Sequence, residues 1–302
     1  MIINSIKKHS VNVGIVTISA LLLFSCGTGS SSDSKGTNDS VPALDSIPKI
    51  HSENAFYSIP SPIQLGQMLQ RAGATYDIKL LNSVDNVSKY STTKSKAMNL
   101  GVYGADLSYS AVFNQTQQTM TYLEKSKKLA EELGLTTSFS AEMMKRMEKN
   151  AGNKDSTFQI ISELFLSSNE ALKENDQSNI SVLVLTGGFI EGMYVGTQVA
   201  KTVKDNKAIY SRVAEFKGSL NNLIMLVSTV NDAADSDILT DLKKIKAVYD
   251  ETPVSAEKPV TTVDTTKKVM TIGGKSHYNL SKEQIVKITA LVETTRTKII
   301  KP

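Results

Sequence analysis

Cysteine, tryptophan, histidine and proline are all scarce in this chain. Among 302 residues there is one cysteine, no tryptophan and three histidines. A lone cysteine excludes an internal disulfide and a multi-thiolate metal centre. His9, His51 and His277 form no His-Glu-x-x-His and no His-x-His step, so the usual ligand spacings are missing and no metal is expected. No serine stands in a Gly-x-Ser-x-Gly elbow, which removes the main hydrolase signature. Gly274-Lys275-Ser276 has the end of a phosphate loop. Such a loop needs a glycine five residues before Gly274, and Val269 stands there. Gly273-Gly274 therefore reads as a turn, and no cofactor is expected. Lys and Arg total 34 against 30 Asp and Glu. That near balance lacks the basic excess of a nucleic-acid binder, so nucleic acid is not an expected partner.

The one cysteine sits at a boundary. Lys7, Lys8 and His9 are followed by Val13 to Phe24, apolar except for Gly14, Thr17 and Ser19. That run is too short to span a bilayer as a helix, which takes about 20 residues, and with its basic head it reads as a signal peptide over 1–25. Leu23-Phe24-Ser25-Cys26 then resembles the lipobox of bacterial lipoprotein precursors. The resemblance covers the first 26 residues. It implies cleavage before Cys26, a diacylglycerol on its thiol and a palmitate-type acyl chain on its new amino group, hence attachment to the membrane through lipid. Gly27 stands where Asp would favour inner-membrane retention, so the resemblance points to the outer membrane of the cell envelope. Removing Lys7 and Lys8 from the 34 bases leaves 32 against 30 acids, a mature charge of +2. Residues 26–48 are rich in Ser, Gly, Asp, Asn and Thr. They lack the apolar content that offsets ordering entropy, so they read as a flexible tether.

From Ile59 the pattern turns helical. No proline occurs between Pro62 and Pro253, and strand-like alternation is absent, so residues 49–250 are expected to form an all-α domain, an irregular multi-helix bundle. Ser61-Pro62 marks an N-cap with proline at the first helical position, ahead of Leu65, Met68 and Leu69 and a stop at Gly73. A short helix is expected over 76–81, then one long helix from Thr92 to Leu133 ending at Gly134. Further helices are expected over 140–150, 155–174, 179–203, 206–229 and 236–249. Residues 251–280 read as a linker or extended arm, with Lys267 to Gly274 its one plausible strand. Ser281 with Gln284 is a capping-box signature. It opens a C-terminal helix over 281–302 whose Ile285, Ile288, Val292 and Ile299 share a face that must pack on the domain.

Two helical stretches carry acids on apolar faces. In Asn99 to Phe113, the small residues Ala97, Gly101, Gly104, Ser108 and Ala111 line one side. Interior glycine costs about 1 kcal/mol against alanine, which suggests close packing. Asp106 falls beside Val102, Tyr103, Tyr109 and Phe113. In Ile180 to Ala200 the only charge is Glu191, with Tyr194 on its side and Gly188, Gly192 and Gly196 at intervals of four. This run has the length of a membrane span, but its Glu, Gln, Thr and Ser residues suit the buried central helix of a soluble bundle better. Carboxylates are almost never buried unpaired. Asp106 and Glu191 are therefore expected either to join a structural network with Arg212, Lys217, Tyr or Asn, or to line a ligand pocket with Tyr103, Tyr109 and Tyr194.

Ala97–Phe113, Asn153–Ser156 and Gly187–Tyr194 resemble segments of uncharacterised helical cell-envelope lipoproteins, a resemblance that carries no activity. The expected function is a lipid-anchored, non-enzymatic envelope protein that binds an unknown protein partner or small ligand. The alternatives are an envelope hydrolase using Asp106 and Glu191 as acids, and a helical subunit of a nutrient-uptake assembly. No residue is assigned a catalytic role.

Overall fold

The computed structural model describes residues 58–202, 207–230, 236–252, 254–256, 260–264, 269–273 and 276–302. The signal peptide, Cys26 and the tether lie outside the described residues.

The domain is all-α. Its helices are α1 (Pro62–Arg71), α2 (Thr93–Val112), α3 (Thr116–Glu132), α4 (Ala141–Asn150), α5 (Lys154–Glu174), α6 (Ser178–Thr202), α7 (Lys207–Ser228), α8 (Ser236–Asp250) and α9 (Lys282–Ile300). Capping explains where several begin. Ser61 closes a capping box with Gln64 ahead of Pro62, and Ser281 does the same with Gln284. Asn153 caps α5 and Ser140 caps α4, each accepting a backbone N–H three residues on.

The expected long helix over 92–133 is two helices. Phe113, Asn114 and Gln115 separate α2 from α3, and Asn114 takes a left-handed φ of 58°. Asparagine tolerates that conformation better than most residues. It lets the chain reverse while the Gln115 N–H returns to Ser110 O at 2.9 Å. Gly134, at φ 81°, ends α3. The short helix expected over 76–81 is a single 3₁₀ turn, Ile78–Leu80, and a second 3₁₀ segment covers Val84–Lys89. Side chains of distant helices hold this backbone instead of a helical ladder. Tyr109 Oη accepts from the Asp77 N–H at 3.1 Å and donates to Thr75 O at 3.0 Å, and Arg296 donates to Leu80 O at 3.0 Å.

The arm also departs from expectation. Val269–Gly273 is a strand, but it is not alone. Label the strands β1 (Val254–Ala256), β2 (Val260–Asp264), β3 (Val269–Gly273) and β4 (Ser276–Tyr278). β2 pairs antiparallel with β3, Val260 opposite Gly273, and β1 with β4, Val254 opposite Tyr278. Valine and threonine favour this pleated backbone. Gly273 thus ends a strand and His277 sits within one, while Gly274 of the expected turn lies outside the described residues.

α2 and α6 form the centre. At their crossing, a Cβ on Gly101 would lie 1.9 Å from Val184 O, and one on Gly187 1.9 Å from Met98 O. Only glycine allows the two backbones to come so close. α6 is long and apolar enough to cross a membrane by length and composition, yet 94% of its apolar window is buried inside the fold. α1, α3, α5, α7 and α9 surround the pair. Ile285, Ile288, Val292 and Ile299 of α9 are all buried against it.

Candidate functional site

Asp106 on α2 and Glu191 on α6 are both 0% exposed. The expected partners Arg212 and Lys217 are elsewhere. Arg212 pairs with Glu215 at 2.6 Å on the surface, and Lys217 donates to Tyr249 O at 2.9 Å. The cation is Arg296 of α9, whose Nε and Nη2 donate to Glu191 Oε2 and Oε1 at 2.6 and 2.8 Å. Arg296 is 8% exposed, and its guanidinium carbon lies 4.0 Å from the centre of the Tyr194 ring. Burial works against its charge, but the carboxylate beside it wins and pushes its pKa above the ordinary arginine value.

Asp106 completes the cluster. Its Oδ2 accepts the Asn82 N–H at 3.0 Å, while Oδ1 meets no donor. The Glu191 carboxylate is near enough for its charge to act on Asp106. Burial pushes the Asp106 pKa well above the ordinary aspartate value, the negative charge of Glu191 adds to that, and Arg296 offsets part of it. A protonated Asp106, an ionised Glu191 and a cationic Arg296 sum to zero. That neutrality suits a closed interior, where an isolated charge is very costly.

Polar side chains extend the cluster toward the loop between α1 and α2. Tyr122 of α3 donates to Asn82 O at 2.8 Å, and Asn82 Nδ2 donates to Tyr90 Oη at 3.0 Å. Tyr90 donates to Ile300 O at 3.1 Å, and Asn99 donates to Ile299 O at 2.9 Å. Tyr103 donates to Ser83 O at 2.8 Å. Burial raises the pKa values of Tyr103 and Tyr122, and that of Tyr109 to about 12, so these phenols stay protonated donors.

Of the two arrangements expected for Tyr103, Tyr109 and Tyr194, a structural network or a pocket, the described contacts are those of packed rings and a guanidinium stacked on Tyr194. Tyr103 packs between Tyr90 and Tyr122, and Tyr109 against Tyr76 and Phe113. Arg296 occupies both Glu191 oxygens, so the acid pair offers no cation site. Among the described residues no group of three or more His, Cys, Asp or Glu could hold a metal.

The open space lies on the other side of α2. Residues two apart on a helix point about 200° from each other, so Gly104 faces away from Asp106. A slot with a cavity volume of about 70 Å³ runs there between α2, α5 and α6, with Pro62 of α1 at its edge. Leu107, Leu164, Phe165, Leu172 and Val184 are among its walls, and no charged residue lines it. A Cβ on Gly104 would meet nothing within 4 Å. The small-residue side of α2 thus serves two ends: Gly101 admits another helix, and Gly104 adjoins empty space. Of the α6 glycines expected on a close-approach face, Gly188 faces Gly101, Gly192 faces Leu65, and Gly196 faces Phe216. The closest approach belongs to Gly187.

Compared with models of protein families, with curated proteins and with solved structures, the chain matches none.

Proposed function

We propose that this chain is a lipid-anchored, non-enzymatic protein of the bacterial cell envelope, held at the outer membrane through Cys26, whose helical domain binds a small ligand. One observation carries the ligand-binding part. The two acids that a hydrolase would use are fully enclosed, Glu191 joined to Arg296, whereas the slot beside Gly104 has apolar walls and half-buried residues at its edge. General acid catalysis needs a carboxyl within reach of a substrate, and neither Asp106 nor Glu191 has that access. Apolar concavities with a few placed polar groups are the usual form of small-molecule sites. The address rests on the sequence Leu23-Phe24-Ser25-Cys26, and several acyl chains on one residue would anchor stably where one would not.

Labelling cells with a radioactive fatty acid tests the anchor. Wild-type protein should take up label and partition into detergent, and Cys26→Ala should do neither. Equal label on both would overturn the reading.

A further inference from the structure

The outer face of α5 carries a self-complementary pattern. At 3.6 residues per turn, successive side chains are about 100° apart around the helix. Asp155, Ser162, Leu166 and Lys173 then fall within about 40° of one another and form one stripe along α5. Asp155 and Leu166 are exposed, and Ser162 and Lys173 are half-buried. Asp155 lies as far before Leu164 as Lys173 lies after it, and Ser162 as far before Leu164 as Leu166 after it. Turned end over end at the level of Leu164, the stripe therefore meets a copy of itself with Asp155 against Lys173 and Ser162 against Leu166, each pair formed twice. Packed helices have axes about 8–10 Å apart, a separation that an Asp–Lys pair can bridge. Glu163, on the flank of the stripe, is turned to Arg146 of α4 at 2.7 Å.

The same stripe borders the slot. Ser162 and Phe165 line it from α5, with Gly104 and Val184 across from them, all four half-buried. The cavity volume of about 70 Å³ is under half of the roughly 150 Å³ that holds a benzene ring, so only a very small group fits, close to the mouth. Among the described residues, the large apolar side chains that are exposed are Ile78, Leu166, Met225 and Val286. Of these, Leu166, 45% exposed, is the one next in sequence to the slot's lining. A lone exposed leucine is ordinary. A leucine beside an apolar opening, flanked by charges that pair with their own copies, is the arrangement an isologous contact uses.

We infer that two copies of this chain pair through the outer face of α5, antiparallel at the level of Leu164, so that Leu166 of each copy covers the mouth of the other's slot at Ser162. Asp155 and Lys173 set the direction and register, because a parallel pair would place Asp155 against Asp155 and Lys173 against Lys173. The pairing adds to the ligand-binding reading above and does not rest on it, since α5 presents the same face whatever the slot holds.

Sedimentation equilibrium of the mature chain, residues 26–302 with Cys26→Ala, is the test, because that form carries neither signal peptide nor acyl chain. A single helix pair falls below the roughly 1,200 Å² of stable interfaces, so a reversible dimer with a Kd on the order of 100 μM is expected. Leu166→Glu should weaken it at least about tenfold while circular dichroism and melting temperature are kept. Asp155→Lys should weaken it several-fold, and adding Lys173→Asp should restore it. That exchange opposes the helix dipole at both ends of α5, so restored pairing could not come from a firmer helix. A bismaleimide too short to span about 27 Å, the rise from residue 155 to residue 173, should join Asp155→Cys chains to Lys173→Cys chains in a mixture and neither variant to itself. A monomer at concentrations up to about 1 mM would overturn the inference, as would a dimer that Leu166→Glu leaves undiminished. Cross-linking of Asp155→Cys chains to one another would overturn the antiparallel direction, and pairing that the charge exchange fails to restore would overturn the register. These masses and cross-links are read without ligand or lipid, so the dimer and the proposed function can each fail without the other.

Discussion

Gly104 and Asp106 are two residues apart on α2 and face two different interiors. Around Asp106, four separate parts of the chain converge: α2, α6, α9 and the loop holding Asn82. Most polar atoms there have a partner, and Asp106 and Glu191 are fully buried. Around Gly104 the walls are apolar, few polar atoms are at stake, and space is left. An unfilled apolar slot of about 70 Å³, at roughly 24 cal/mol per Å³, costs on the order of 2 kcal/mol. A bundle can tolerate that. An unpartnered charge on the Asp106 side it could not, which is why the acids are closed and the slot is apolar.

The largest expected effect comes from opening the closed side. Arg296→Ala leaves Glu191 buried with no cation and should cost about 3–5 kcal/mol in urea unfolding. A loss near that of a surface change, about 0.5 kcal/mol, would mean that Glu191 is reached by water and that the two faces do not differ as described.

A smaller effect separates two glycines on one helix. Gly101→Ala must push α2 off α6, since its Cβ would meet Val184 O at 1.9 Å. Overpacking of this kind costs about 1–3 kcal/mol. Gly104→Ala has nothing to push against and should gain up to about 1 kcal/mol from helix propensity. Thermal melts of the two variants should therefore shift in opposite directions. Shifts of the same sign would erase the contrast between a packed and an open side.

Much of this was legible in the residues. Capping pairs placed the starts of α1 and α9, the missing prolines gave a helical domain, and acids on apolar faces marked Asp106 and Glu191 as buried. What escaped was nonlocal. Arg296 is 105 residues from Glu191, and no periodicity links the two. A local signal did exist: Arg296 stands four residues after Val292 and three before Ile299, on the apolar stripe of its helix. Asn82 and Tyr122 gave no such sign, because their roles depend on how a loop without helical pattern folds over α2. The break at Asn114 was missed because both flanking segments are good helix formers, and one left-handed residue interrupts them. The slot could not be read in advance. Gly101 and Gly104 look alike in sequence, and only the path of α6 decides which of them is filled.

The central claim is that Asp106 is a neutral, structural member of a closed cluster. Its folded pKa is raised by burial first and by Glu191 next, while an unfolded aspartate loses its proton near about 3.9. Above that pH the folded chain binds the extra proton, so this group's contribution to stability is fully present below about 3.9 and is lost as pH rises through the folded value. Asparagine mimics the neutral carboxyl, with an oxygen to accept from the Asn82 N–H and no charge to bury. Urea melts of wild type, Asp106→Asn and Asp106→Ala at pH 4 and pH 8 test this directly. Asp106→Ala should lose more than about 2 kcal/mol at pH 4, from an unsatisfied Asn82 N–H, and lose less at pH 8, where wild type alone has given up the stability of the neutral form. Asp106→Asn should stay within about 0.5 kcal/mol of wild type at pH 4 and gain on it at pH 8. Asp106→Asn falling as far as Asp106→Ala at pH 8 would show an ionised aspartate and contradict the neutral cluster, and a loss under about 0.5 kcal/mol for Asp106→Ala at pH 4 would contradict its closure.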